Sequence, residues 1–255
     1  MNHYNPQLQQ EAYDKLAALY ETRPYGAVGN DISGMTATTI KIGRQEYIFY
    51  NAKASNYRSE IVCIHSMVGQ SDNFEMLDIC SGTGDTLYAF ASGEYTGEIK
   101  YKTTGVDFSK EMCKIARAKS PESEVIWGNI FDQKFQPNRF DVITFMSGPC
   151  QFLKSDARKL MEMIKIWLKP TGRIYISTSV EQNENVGLVP KKALGLFELP
   201  ENNIIRYREN YTIPSLIKLT KSAGLKIDMS FLINPPAELS GVNRVFQGHI
   251  CHVKS

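Results

Sequence analysis

LDICSGTGD, residues 77–85, decides the fold. Leu77 to Cys80 has the apolar character of a short strand, glycines follow at 82 and 84, and DTLYAFAS (85–92) continues as a helix. Gly82 and Gly84 remove side chains so that backbone can approach a ligand, and the start of the helix offers free N–H groups. Many nucleotide sites use a glycine loop, so the surroundings carry the discrimination. A dinucleotide fingerprint spaces three glycines as G-x-G-x-x-G, and Leu87 stands where the third belongs. A phosphate-binding P-loop needs Lys followed by Ser or Thr, which this loop lacks. In their place are Asp78 before the loop and Asp107 at the tip of the next strand, 23 residues after Gly84. A carboxylate at that tip can accept both hydroxyls of a ribose.

Further out, Phe108 offers an aromatic face to a purine, and Asn129 ends a third strand with an amide able to donate to and accept from an adenine edge. No cluster of cations waits for a pyrophosphate. The ligand reads as a nucleoside carrying little negative charge.

The same alternation continues to the C-terminus. FEMLDIC, KYKTTGVDF, EVIWGNI, FDVITFM and GRIYIST read as strands. Between them, Ser109 N-caps a helix striped by Met112, Ile115 and Ala116, and a helix from Ser155 ends at Lys169-Pro170-Thr171-Gly172. Thr212 and Pro214 open a last helix that stops at Gly224. LKIDMSFLI and NRVFQGHICHV close the chain, and the connection PPAELSG is too short for a parallel crossover, so they pair antiparallel. The expected architecture is α/β and Rossmann-like: a mostly parallel seven-stranded sheet with an antiparallel last strand and helices on both faces.

Residues 1–75 lie outside this rhythm. They hold an amphipathic helix (Leu8 to Tyr20), a hairpin (TTIKIGRQEYIFY) and a helix from Tyr57 to about Val68. They read as an N-terminal helix and hairpin cap on a core of residues 76–255. Residues 182–210 are a second cap segment inserted in that core. Both additions can reach the carboxyl ends of the strands, where ligands sit in open α/β sheets.

Composition excludes several classes of function. The 255 residues carry 29 Lys and Arg against 27 Asp and Glu, a balance that argues against a protein living on nucleic-acid phosphates. With 42% hydrophobic and 22% charged residues the chain is an ordinary globular one, with no apolar run long enough to span a membrane. Five widely spaced cysteines without a C-x-x-C pair read as reduced thiols, and the N-terminus lacks a signal-peptide pattern, so a cytoplasmic location is expected. No metal is expected, because GHICHVK alternates faces of a strand and does not gather ligands.

The ordered series LDICSGTGD, GVDFSKEMCKIARAK, WGNIFD, FDVITFM, LKPTGRIYIST and TIPSLIKLTKSAGL resembles the class I S-adenosylmethionine-dependent methyltransferases of small-molecule type. The resemblance runs over residues 76–255, with Cys80 where the family usually has Gly and Asn129 where it often has Asp. It implies S-adenosyl-L-methionine as cofactor. Asp78, Cys80 and the Gly82–Gly84 backbone would hold the methionine portion, and Asp107 the ribose. Phe108, Asn129 and Ile130 would frame the adenine, and Met146 and Ser147 would lie near the sulfonium, Ser147 toward the substrate. Arg58, in YRSEI, matches the segment that puts an arginine against the cofactor carboxylate in glycine-methylating relatives.

The expected reaction is in-line methyl transfer to an N or O atom of a small molecule, driven by proximity and exclusion of water. No catalytic residue is assigned; His65 and Glu181 are candidate bases, and Tyr13, Tyr20 and Tyr25 candidate lining of the acceptor site. Two alternatives stand beside this. FMSGPCQF resembles the Pro-Cys-Gln motif of cytosine-C5 methyltransferases, with Cys150 as nucleophile, and the shell could instead serve a non-catalytic, regulatory protein. The expected partner is the small-molecule substrate, with no nucleic acid and no membrane, in a monomer or homodimer.

Overall fold

The structure is a computed structural model that describes residues 4–21, 36–42, 45–52, 60–61, 64–65, 74–93, 100–180, 196–199, 204–233 and 245–253. Its strands are β1 (Thr36–Ile42), β2 (Gln45–Ala52), β3 (Glu75–Ile79), β4 (Lys102–Asp107), β5 (Glu124–Trp127), β6 (Phe140–Phe145), β7 (Leu168–Val180), β8 (Leu196–Leu199), β9 (Ile204–Tyr207), β10 (Leu225–Ile233) and β11 (Val245–Val253). Its helices are α1 (Pro6–Glu21), α2 (Asp85–Ser92), α3 (Lys110–Lys119), α4 (Lys154–Trp167) and α5 (Ile213–Ser222).

The main sheet runs β1-β2-β10-β11-β7-β6-β3-β4-β5. Seven of these, β10 to β5, are the expected strands. β7, β6, β3, β4 and β5 are mutually parallel, and β11 runs antiparallel between β7 and β10. The N-terminal hairpin extends this sheet to nine strands. β2 lies parallel to β10, with Asn51 opposite Leu232 and Ala52 opposite Ile233. An outermost β10 would leave a row of unpaired backbone groups, and β2 satisfies part of that row.

Side chains alternate across the sheet and feed two cores. On one face Leu77, Ile143 and Ile174 pack with Leu160, Ile164 and Leu216 of α4 and α5. On the other Met76, Val142 and Tyr175 pack with Ala89 and Phe90 of α2 and with Ile61 and Ile64. The helix boundaries follow local chemistry. Ser109 Oγ accepts the N–H of Met112, Thr212 and Ser215 form a capping box, and Gly224 ends α5 at φ 78°. α4 ends at Trp167, and the chain passes directly into β7 at Leu168, so Lys169–Gly172 belong to the strand.

α1 lies along α3. Ala12, Tyr13, Leu16 and Ala17 bury against Met112, and polar contacts hold both ends. Asp14 accepts from Ser109 Oγ (2.5 Å) and the N–H of Glu111 (3.2 Å) at the start of α3. Lys119, at its end, donates to Glu21 (2.7 Å) and Asp85 (2.6 Å). From the other side Gln9 joins α1 to β9. Its Nε2 donates to the Tyr207 carbonyl (2.9 Å) and its Oε1 accepts the Tyr207 N–H (2.7 Å). Gln9 and Tyr207 are both buried, so neither group has water to fall back on. Gln9→Ala is expected to destabilise the protein by about 1–3 kcal/mol in urea unfolding. Lys15→Ala, on the exposed face of the same helix, should stay within about 0.5 kcal/mol of the parent.

Candidate functional site

The carboxyl ends of β3, β4 and β5 form one wall of a cavity of about 840 Å³, and α1 and the start of α4 form the other. Asp107 is one of its lining residues. Its Oδ2 accepts the N–H of Gly82 and its Oδ1 the N–H of Ser109, each at 2.9 Å. Each oxygen keeps a further lone pair, so the carboxylate presents two acceptors spaced for a vicinal diol.

The two glycines divide the labour. A side chain at Gly82 (φ 54°) would meet nothing within 4 Å, so its backbone is open. At Gly84 (φ 81°) an added Cβ would lie 2.8 Å from the Cβ and 2.9 Å from the Cα of Ala116. Gly84 thus lets α2 start against α3, a packing role and not an approach to ligand. Cys80 (φ 60°) and Ser147 (φ 49°) are non-glycine residues in the left-handed region, each just past the carboxyl end of a strand. The N–H of Cys80 bonds the Val106 carbonyl at 2.9 Å and that of Ser147 bonds Ser177 Oγ at 3.2 Å.

Of the residues singled out in the sequence, Cys80, Asp107, Phe108, Asn129 and Ile130 line the cavity together. Asp78 sits behind the loop, where it accepts from Thr144 Oγ1 at 2.6 Å. Met146 accepts from Thr86 Oγ1 at 3.7 Å on the face of the sheet covered by α2. Tyr13 packs on Phe108 with ring centroids 5.8 Å apart, and Tyr20 borders the same cluster, so both serve the α1–α3 contact and neither lines the cavity. His65 bonds the hydroxyl of Tyr101 at 3.1 Å. Tyr101 precedes β4, at the opposite end of that strand from Asp107, about 20 Å away at the rise of an extended chain. That placement sets His65 away from this cavity. Cys150 is buried, donates its thiol to the Ser147 carbonyl at 3.1 Å, and is not among the lining residues. Arg58, Tyr25 and Glu181 lie outside the described residues.

Other lining residues had no motif to mark them. Trp127 is half exposed on the cavity rim, with its Nε1 donating to the Phe108 carbonyl (3.0 Å) and Lys110 over its ring (5.6 Å). Its signal was a large aromatic at the tip of a strand. Gln7 and Gln10 come from α1, and Phe152 and Lys159 from beyond β6. The Tyr207–Tyr211 segment packs against these elements without lining the cavity. Tyr207 stacks edge-on with Tyr4 (5.1 Å), Glu209 N–H bonds the Cys150 carbonyl (2.7 Å), and Arg208 bonds Ser179.

Among the described residues no group of three His, Cys, Asp or Glu could hold a metal. His249 bonds Ser230 (2.8 Å) and Gln247 (3.0 Å), and burial lowers its pKa to about 3, so it is neutral. Nor is any helix among these residues long and apolar enough to cross a membrane.

A parallel sheet with a glycine turn after β3 and an acidic residue at the tip of β4 is a Rossmann-like α/β fold. Residues 76–172 match the family described as "Methyltransferase domain". A demethylmenaquinone methyltransferase of Bacillus licheniformis is 40% identical over 103 residues, covering 38% of this chain and 41% of that protein. The match therefore spans less than half the length of that curated relative. Among solved structures, a SAM-dependent methyltransferase from Methanosarcina mazei superposes with TM-score 0.58 at 18% identity, over 72% of this chain and 94% of its own. The cyclase SpnF does so with TM-score 0.62 at 13% identity, over 96% and 94%.

Burial pushes the Asp78 carboxyl up to about 7, against hydrogen bonds from Thr144 and Thr86 that pull it down. Burial likewise raises Asp107 to about 6, opposed by the N–H groups of Ser109 and Gly82. A carboxyl raised on folding stabilises the native state below its unfolded pKa, and that contribution is lost as pH climbs through the folded value. The melting temperature of the protein alone should therefore fall between about pH 4 and about pH 7. Asp78→Asn, which keeps the shape and removes the charge, should flatten that fall. Thermal melts at several pH values read it, and an unchanged slope would clear Asp78 as a source.

Proposed function

We propose that this protein is an enzyme that transfers a methyl group from S-adenosyl-L-methionine to a small molecule. The observation that carries the reading is Asp107, a buried carboxylate with both oxygens set by backbone N–H groups on the wall of a nucleoside-sized cavity. The residues fit such a cofactor. Asp107 would take the ribose hydroxyls, Phe108 and Ile130 the base, and the open Gly82 backbone the start of the methionine portion. The family of residues 76–172 supports the same cofactor.

When bound, S-adenosylmethionine supplies a methyl group on a sulfonium, already electrophilic. The task left to the chain is to orient the acceptor in line and to keep water out. α1, tied to β9 through Gln9, and the Tyr207–Tyr211 segment are suited to cover the carboxyl ends of the strands. Asp78, raised by burial, is suited to ionise when a cationic amine comes near and to hold it by charge.

We propose an N or O acceptor atom, because neither needs covalent activation; the buried Cys150 offers no support for addition to a ring. The Bacillus licheniformis relative is a demethylmenaquinone methyltransferase, so a quinone ring carbon is the competing acceptor to screen beside N and O compounds. Cytoplasmic work on a soluble metabolite, without nucleic acid, agrees with the near-neutral charge.

Calorimetric titration with S-adenosylmethionine and S-adenosylhomocysteine, with NADH as control, tests the reading. Both sulfur ligands should bind and NADH should not. Asp107→Ala should weaken both by about 10- to 100-fold, the loss of one to two charge-assisted hydrogen bonds. Binding of NADH alone, or equal affinities in parent and Asp107→Ala, would sink it.

A further inference from the structure

The order of the main sheet reverses between β3 and β6: the chain runs from β3 to β4 and β5 on one side, then to β6 and β7 on the other. In an open α/β sheet the ligand crevice lies at such a point, outside the carboxyl ends of the two strands. The glycine turn after β3 is one lip of that crevice. The turn after β6 is the other, because Asp78 pairs with Thr144 and both strands end one residue later. Ser147 sits in this second turn at φ 49°, a conformation that a residue with a side chain keeps only when its surroundings fix it. Its carbonyl accepts from Gln151 Nε2 at 3.2 Å, and Gln151 lines the cavity. Its N–H donates to Ser177 Oγ, also at 3.2 Å.

Ser177 is fully buried on β7, so its hydroxyl has no water to turn to. An oxygen that accepts the Ser147 N–H must still place its own hydrogen, and Glu60 is the acceptor. Glu60 also takes the Tyr175 hydroxyl at 2.7 Å. Tyr175 and Ser177 are two residues apart on one strand and so point to the same face of the sheet. Gly248, opposite Ser177, leaves the space for this, since a side chain there would collide with the Tyr175 hydroxyl. Glu60 itself is buried and is not among the residues that line the cavity.

Resting on the cofactor reading above, we propose that Glu60 is a positioning residue for the ligand crevice. By taking the hydroxyl hydrogen of Ser177 it turns that oxygen to the Ser147 N–H, and so holds the second lip against the cofactor. With no acceptor at position 60 the Ser177 hydrogen is left unpaired or turns elsewhere, and the Ser147 N–H loses its fixed partner. Glutamine keeps the link. Its amide oxygen accepts from Ser177, and its NH2 donates to the Tyr175 oxygen, which can accept as well as donate.

The test is calorimetric titration of the full chain with S-adenosylhomocysteine, well below the melting temperature of every variant. Glu60→Ala and Ser177→Ala should each weaken binding by about fivefold or more, and Glu60→Gln should stay within about twofold of the parent. The double variant Glu60→Ala/Ser177→Ala should bind about as well as either single one, because the two residues act through one chain of bonds. A role in stability alone would lower the melting temperature of Glu60→Ala and leave its affinity unchanged. That result overturns the proposal, as do losses that multiply in the double variant, or a Glu60→Gln as weak as Glu60→Ala. Should Glu60→Ala fail to fold, Ser177→Ala and Glu60→Gln decide: a loss in the first alone supports the proposal, and equal affinities overturn it. A parent that binds while its variants match it refutes only this inference. A parent that binds neither S-adenosylhomocysteine nor S-adenosylmethionine refutes the cofactor reading and this inference with it.

Discussion

The carboxylate of Asp107 accepts one N–H from Gly82 and one from Ser109, and three separate elements meet through those bonds. Gly82 belongs to the turn after β3, Asp107 ends β4, and Ser109 is the N-cap of α3. Ser109 also passes its hydroxyl proton toward Asp14, so α1 is held to the same point. A buried carboxylate is costly unless hydrogen-bonded, and backbone N–H groups from a turn and a helix start supply the bonds without another side chain. The turn, the strand tip, the helix start and the covering helix must therefore come together in one arrangement or leave the charge unsatisfied.

Two further buried carboxyls, Asp78 and Glu60, each raised to about 7, sit on the face of the sheet covered by α2. Glu60 accepts from the Tyr175 hydroxyl at 2.7 Å and Asp78 from Thr144 at 2.6 Å. Hydroxyls satisfy these acids, and a positive charge brought near would draw them into the ionised form behind the glycine turn. That suits a ligand bearing positive charge. It opposes one bearing phosphates, as the absence of a cation cluster in the sequence suggested. The likeness to SpnF, a cyclase, shows how far such a framework stands from any one reaction: the fold supplies the floor and the site supplies the chemistry.

Much of the fold was legible in the chain. Ser109, Thr212 with Pro214, and Gly224 mark helix ends in the structure because caps act across three or four residues. The short PPAELSG connection forced β10 and β11 to be antiparallel by length alone. Of the cavity wall, Asp107, Phe108 and Asn129 were singled out by their positions after the glycine turn, and Ile130 by the family resemblance. Tyr13 and His65 were not. An aromatic or imidazole in an amphipathic helix looks the same whether it faces a ligand or a neighbouring helix, and here Phe108 and Tyr101 claim them.

The amino-acid sequence by itself determined the alternation of strands and helices, the glycine turn, and the acid at the tip of the next strand. Each rests on periodicity or loop chemistry spanning a few residues. Only the tertiary structure decided what depends on distant partners. Gln9 and Tyr207, 198 residues apart, join α1 to β9 through a buried amide pair. β2 completes the edge of β10. Gly84 serves Ala116 and not a ligand. Asn129 caps the turn Ile130–Asp132 by accepting the Phe131 N–H, a use of its amide that only the placement of the backbone could show.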